Sequence, residues 1–185
     1  VICDVARSHS EVRGFRLGRN FGQHAATACG IAQARGQWVV TMDDDLEHRP
    51  EAVPKLLEAC DEQHQLVYGV FPVRTHAWYR NITSELMRWT LKRAFPDLND
   101  RYTSFRVMRA PLAQELANFN MSRPYIDGIL SWITSSVATV DVSHGERQHG
   151  ESAYTMKRLI SHAVNIFVTF SQLPLRVASY GGALL

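Results

Sequence analysis
Along the chain, short apolar runs alternate with stretches whose apolar positions recur at helical spacing, and polar turns separate the two. Phe15-Arg16-Leu17 predicts a short strand, closed by the polar turn Gly18-Arg19-Asn20-Phe21-Gly22. A helix of small residues follows from His24 to Arg35, with Gly36 placed to cap its C-terminus. Its alanines and Gly30 imply close packing against a sheet. Residues 37–42 form an apolar, β-branched run that reads as a buried strand. Pro50 at a first helical position, with Glu51 just inside, opens a helix to about Glu62. Val53, Leu56, Leu57 and Cys60 are its buried face. Leu66-Val67-Tyr68-Gly69-Val70 is a further strand. This strand–helix alternation predicts an α/β fold, a parallel sheet with covering helices.

The middle of the chain is less regular. Residues 72–78 read as a loop carrying Arg74 and His76, and a helix of mixed character is predicted over 79–94. Thr103 to Met108 reads as a strand, Pro111 opens a short helix, and Pro124 opens another reaching Trp132. Thr134 to Val142 is the last predicted strand. Ser152 then caps a helix in which Met156, Leu159, Ile160, Ala163, Val164, Phe167 and Phe170 make one apolar stripe. Lys157, Arg158, Ser161, His162, Asn165 and Thr169 occupy the other face. That pattern fits first a helix packed on the domain core, and after it a helix lying in a membrane interface. No stretch supplies the ~20 uninterrupted apolar residues of a spanning helix.

The strand at 37–42 ends in three consecutive carboxylates, Asp43, Asp44 and Asp45. In extended chain Asp43 and Asp45 point to one side and Asp44 to the other. Their place, at the C-terminal end of a strand, is where open α/β sheets bind ligands. Oxygen-only ligands suit Mg²⁺ or Mn²⁺, which keep some waters and draw other ligands from substrate phosphates. A metal–diphosphate site and a solvated acidic turn near a helix start both fit these residues.

Composition narrows the field. The 185 residues are 45% hydrophobic and 21% charged, as in an ordinary globular domain with a real core. A net charge of +2 without a basic tract argues against nucleic acid as a partner. Cys3, Cys29 and Cys60 are too scattered for a zinc site or a disulfide frame, and read as small hydrophobes in a reducing compartment. No Walker-type glycine loop is present. The opening Val-Ile-Cys-Asp carries neither an initiator Met nor a basic leader.

Several stretches taken together resemble a known family. They are Leu17-Gly18-Arg19-Asn20-Phe21-Gly22-Gln23, Ala34-Arg35-Gly36, Met42-Asp43-Asp44-Asp45-Leu46, Pro50-Glu51, Ser104-Phe105-Arg106 and Arg147-x-x-Gly150-x-Ser152-x-Tyr154. In this order they resemble the polyprenyl-phosphate sugar transferases of the inverting glycosyltransferase family 2. The resemblance implies a GT-A, Rossmann-like fold with a mostly parallel sheet and covering helices, followed by a C-terminal amphipathic membrane-interface helix. Residues 1–150 would be the catalytic domain and 151–185 the juxtamembrane segment. It further implies metal-dependent sugar transfer from a nucleotide-diphosphate sugar to an undecaprenyl-type phosphate, at the cytoplasmic face of the membrane.

By the same resemblance, Asp43 and Asp45 hold Mg²⁺ or Mn²⁺ against the donor diphosphate, and Arg106 and Arg147 lie near the phosphates. A surface ion pair is the competing role for either arginine. Arg19, Asn20, Asp44, Glu47, Ser104, Gly150, Ser152 and Tyr154 are the implied substrate contacts. Three positions depart from the family pattern: Glu47 replaces a Gln, Ala153 a Lys, and Ser104 an Asp. Asp127 is the nearest alternative carboxylate in the acceptor half. Family members start with a strand, a Tyr-Asn-Glu type loop and an aspartate pair that bind the nucleoside, and Cys3-Asp4 would be the ragged end of that region. With membrane segments also missing or cut short, the chain reads as a fragment that binds donor poorly. The remaining readings are a soluble GT-A transferase acting on a hydroxyl acceptor in cell-envelope polysaccharide synthesis, which needs a general base, and a non-catalytic scaffold. Self-association, the sugar and the nucleotide are left open.

Overall fold
The computed structural model describes residues 2–71, 98–119 and 124–143. Its strands are β1 (Trp38–Thr41), β2 (Leu66–Val70), β3 (Arg106–Arg109) and β4 (Val137–Asp141). Its helices are α1 (Ile2–Ser8), α2 (Gln23–Ala32), α3 (Val53–Glu58), α4 (Ala110–Asn118) and α5 (Ile126–Ile133), with a 3-10 turn at Pro50–Ala52 leading into α3. The four strands form one sheet in the order β1-β3-β2-β4. β3 pairs antiparallel with both β1 and β2, while β2 and β4 run parallel. Three strands therefore share a direction, and one reversed strand separates the first two of them. The sheet is mixed, where a mostly parallel one was expected. The alternation of strands and helices through residue 70 is real, but β1 and β2 do not pair.

Side-chain parity explains how both faces become covered. β2 is buried at all five positions, as expected of a strand with helices on both sides. On one face Val39, Leu66, Tyr68, Val70 and Met108 meet Ile31 of α2, Leu112 and Leu116 of α4, and Ile126, Ile129 and Leu130 of α5. On the other, Val67 and Val107 join Phe105 and meet Leu56 of α3 and the neighbouring Cys60. Leu56 is wholly buried and Leu57 packs at the edge of this cluster, so the expected inner face of the helix after Pro50 is correct.

Other expectations are corrected. Phe15-Arg16-Leu17 forms no strand, and Phe15 is exposed; no described strand lies beside it to complete a ladder. The helix expected over 24–35 ends at Ala32, closed by the Gln33 N–H on the Gly30 carbonyl and the Ala34 N–H on the Ile31 carbonyl. Gly36 is therefore not its cap. A Cβ at Gly36 would lie 3.1 Å from the Trp38 carbonyl oxygen, so the glycine serves the entry into β1. Gly30 does not mediate close packing either, since a Cβ there would meet nothing within 4 Å. The helix after Pro50 stops at Glu58, short of Glu62. The strand expected from Thr103 begins only at Arg106. Among the described residues no helix is long and apolar enough to cross a membrane. The loop over 72–78, the helix over 79–94 and the amphipathic stripe from Met156 to Phe170 lie outside the described residues.

Candidate active site
The acidic loop leaves the C-terminal end of β1, and strand register decides what it meets. Thr41 is opposite Arg106 in the β1–β3 ladder, so continuing the antiparallel register brings Asp43 opposite Ser104. The Ser104 hydroxyl donates to Asp43 Oδ2 at 2.6 Å. On the helix-covered side, the Gln23 amide at the start of α2 donates to Asp43 Oδ1 at 2.7 Å. Neutral donors from two elements thus hold both oxygens of one carboxylate. Asp43 and Asp45 are partly buried while Asp44 between them is exposed, although the strand ends at Thr41 and the chain bends from Asp44 on.

Beyond Asp43 the chain turns sharply. The Glu47 N–H donates to Asp45 Oδ1 at 3.1 Å, and Leu46 adopts a φ of 67°. That left-handed conformation is strained for a branched, non-glycine residue. His48 closes the turn: its Nδ1 accepts the Asp43 main-chain N–H at 2.8 Å. The imidazole is 6% exposed and lies nearly parallel to the rings of Phe105, at 5.0 Å, and Phe71, at 5.7 Å. No period or motif in the sequence marks Gln23 or His48 as partners of Asp43. The parity of β1 and the register of β3 are the only signals, and register is visible only after folding.

Arg106 is buried within the sheet. It is 2% exposed, and its guanidinium donates to Asp127, itself 4% exposed. Its Nε donates to Thr41 Oγ1 at 3.2 Å, and Thr41 Oγ1 donates in turn to the Ser104 carbonyl at 2.6 Å. Tyr68, opposite Arg106 in the β2–β3 ladder, donates its hydroxyl to Asp127 at 3.1 Å. A polar row thus crosses three strands from Tyr68 through Arg106 to Thr41, and ends beside the acidic loop. The ion pair is a buried one, not a surface one, and the arginine reaches Asp43 only through Thr41 and Ser104. Burial pushes the Asp127 carboxyl up, against the pull of Arg106. Burial, then the Asp127 charge, pushes the Tyr68 phenol up, which keeps that donor protonated.

A cleft of about 450 Å³ runs along β1, lined by Thr27, Gly30 and Ile31 of α2 and by Asp43 and Ser104 at its end. Arg19 and Asn20 are exposed in the turn before α2. The Arg19 guanidinium lies 4.7 Å from the Phe21 ring centre, and Asn20 Oδ1 accepts the Gly22 N–H at 2.9 Å. Gly22 has a φ of 89°, a value that needs glycine, and leads directly into Gln23. Glu47 is half-buried beside Asp45. Arg147, Gly150, Ser152 and Tyr154 lie outside the described residues. Cys3-Asp4 falls in α1, a short helix with no buried residue.

Comparison with known proteins places this chain in a family. The model described as glycosyl transferase family 2 matches residues 2–116. The undecaprenyl-phosphate 4-deoxy-4-formamido-L-arabinose transferase of Edwardsiella ictaluri is 28% identical over 97% of this chain and 55% of its own length. An uncharacterized glycosyltransferase of Bacillus subtilis, YkcC, is 28% identical over 98% of this chain and 58% of its own. The chain thus spans about half the length of the curated relatives it matches. Among solved structures, glucosyl-3-phosphoglycerate synthase from Mycobacterium tuberculosis, in complex with Mn²⁺, UDP-glucose and phosphoglyceric acid, superposes with a TM-score of 0.57. It shares 20% identity, over 85% of this chain and 56% of that one, so the likeness bears on the fold.

Proposed function
The chain belongs to glycosyl transferase family 2, and from that premise we propose that it transfers a sugar from a nucleotide-diphosphate donor to an undecaprenyl-type phosphate, with inversion, at the cytoplasmic membrane face. The observation that carries the site assignment is the placement of Asp43 and Asp45 at the end of β1, with Asp43 held by Gln23 and Ser104. The acceptor class draws on the Edwardsiella relative's name and on the motifs shared with polyprenyl-phosphate sugar transferases.

The donor set fits a hard divalent cation, Mg²⁺ or Mn²⁺. Asp43 and Asp45, both partly buried, flank the exposed Asp44 and offer oxygen ligands only; among the described residues no group of three or more His, Cys, Asp and Glu is placed to hold a metal, so an ion here would draw its remaining ligands from water and the donor. Such a sparse oxygen set suits an ion that keeps waters and shares diphosphate oxygens. When bound, the ion would offset charge building on the departing nucleoside diphosphate. The protein's part is to fix those carboxylates in advance. Ser104 and Gln23 orient Asp43, Thr41 and Arg106 brace Ser104 from below, and the cleft along β1 leaves room for the donor. An acceptor that is already an anionic phosphate needs no strong base. That suits a site whose nearest alternative carboxylate, Asp127, is committed to Arg106 and Tyr68.

The test uses the full-length protein in membranes with radiolabelled nucleotide sugars, Mg²⁺ or Mn²⁺, and undecaprenyl phosphate. Label entering an organic-extractable product, and lost with EDTA or Asp45→Asn, is the expected result. Donor consumed without lipid product would overturn the acceptor assignment in favour of a hydroxyl. No turnover with any donor by a folded protein would leave the scaffold reading.

A further inference from the structure
We infer that His48 is the positioning residue of the acidic loop: by accepting the Asp43 main-chain N–H, its imidazole sets the conformation in which Asp43 and Asp45 meet a cation. The inference rests on the metal–diphosphate reading of that loop. Burying an imidazole costs free energy unless its polar atoms are bonded. If the pocket against Phe71 and Phe105 needed only a ring, phenylalanine would fill it without that cost. What histidine adds is an acceptor aimed at the first amide of the loop, 2.8 Å away.

A donated amide proton requires a lone pair on Nδ1, so the neutral ring carries its proton on Nε2. The bond spans five residues and encloses the strained Leu46 and the Asp45–Glu47 turn. A left-handed leucine persists only where its surroundings over-determine it, and the His48 bond is one such closure. The ring's own position is fixed from beneath. Phe105 is fully buried and approaches so closely that a Cβ on Gly69 of β2 would lie 2.7 Å from its Cδ1. β2 therefore seats Phe105, Phe105 seats His48, and His48 seats the amide of Asp43.

Two substitutions separate acceptor from ring. His48→Phe keeps the ring stack and removes the acceptor; His48→Asn keeps an acceptor near the Nδ1 position and removes the stack. Hydrogen exchange of the segment over residues 42–48, measured without ligand, should quicken about tenfold in His48→Phe at little change in melting temperature. In His48→Asn it should stay within about threefold of wild type, even at a lowered melting temperature. Mn²⁺ titration followed by electron paramagnetic resonance, with UDP present, should show the same order, with affinity lost in the Phe variant and kept in the Asn variant. Equal behaviour of the two variants, or unchanged exchange in His48→Phe, would overturn the inference and leave His48 a packing residue. A wild-type chain that takes up no Mn²⁺ would instead overturn the metal reading, and the exchange comparison would still decide the role of His48.

Discussion
At the scale of single residues, burial decides which charges matter. The Arg106–Asp127 pair is almost solvent-free, so removing one partner leaves the other charge uncompensated. Asp127→Ala should cost about 3–5 kcal/mol, read as a shift of the urea midpoint, whereas Arg106→Met with Asp127→Leu should recover most of that loss. Arg106 was legible as a residue of consequence but not as a buried one, because its partner lies 21 positions along the chain on another element. The place of the aspartates just past the end of a strand was legible because the apolar run before them is a local property. Cys60 offers a second test. Burial pushes its thiol from 9.0 up to about 11, so at pH 8 iodoacetamide should label exposed Cys3 far faster, as peptide mapping would show. The folded state holds this proton more tightly than the unfolded chain. The associated stability is complete below pH 9 and is lost as pH rises through 11, a slope that Cys60→Val should remove.

At the scale of elements, α2 and the acidic loop carry strains and openings that substitution can read. Gly30 is inside α2 yet faces open space, so Gly30→Ala should stabilise the fold by about 0.5–1 kcal/mol in thermal unfolding. Close packing, the reading that small residues invite, would have made the same change costly. Leu46 is exposed and left-handed, and Leu46→Asn should gain about 1 kcal/mol in the same assay, since asparagine tolerates that conformation. At Gly69 the sign reverses. An added methyl would press on Phe105 and on Leu56 at 3.2 Å, and Gly69→Ala should cost about 1–3 kcal/mol. Most elements were legible from period and punctuation: β2 and its buried run, the helix after Pro111, the one after Pro124. Their ends were less so, because α2 stops on backbone bonds from Gln33 and Ala34 without using Gly36.

At the scale of the whole molecule, strand order was the least legible feature. Alternating strands and helices announce an α/β sheet, but no local pattern states that the third strand will be inserted, reversed, between the first two. That insertion also orders events in time. β1 and β2 are made early and do not pair with each other, each bonding instead to β3, which begins 36 residues after Val70. Pairings this far apart in sequence fold slowly, and a nascent chain cannot form them before the central strand has left the ribosome. A polypeptide ending before Arg106 should therefore show no cooperative unfolding by circular dichroism, although it holds every carboxylate of the acidic loop. The support of Asp43 is finished late in synthesis because the strand that braces it is the last of its three to emerge.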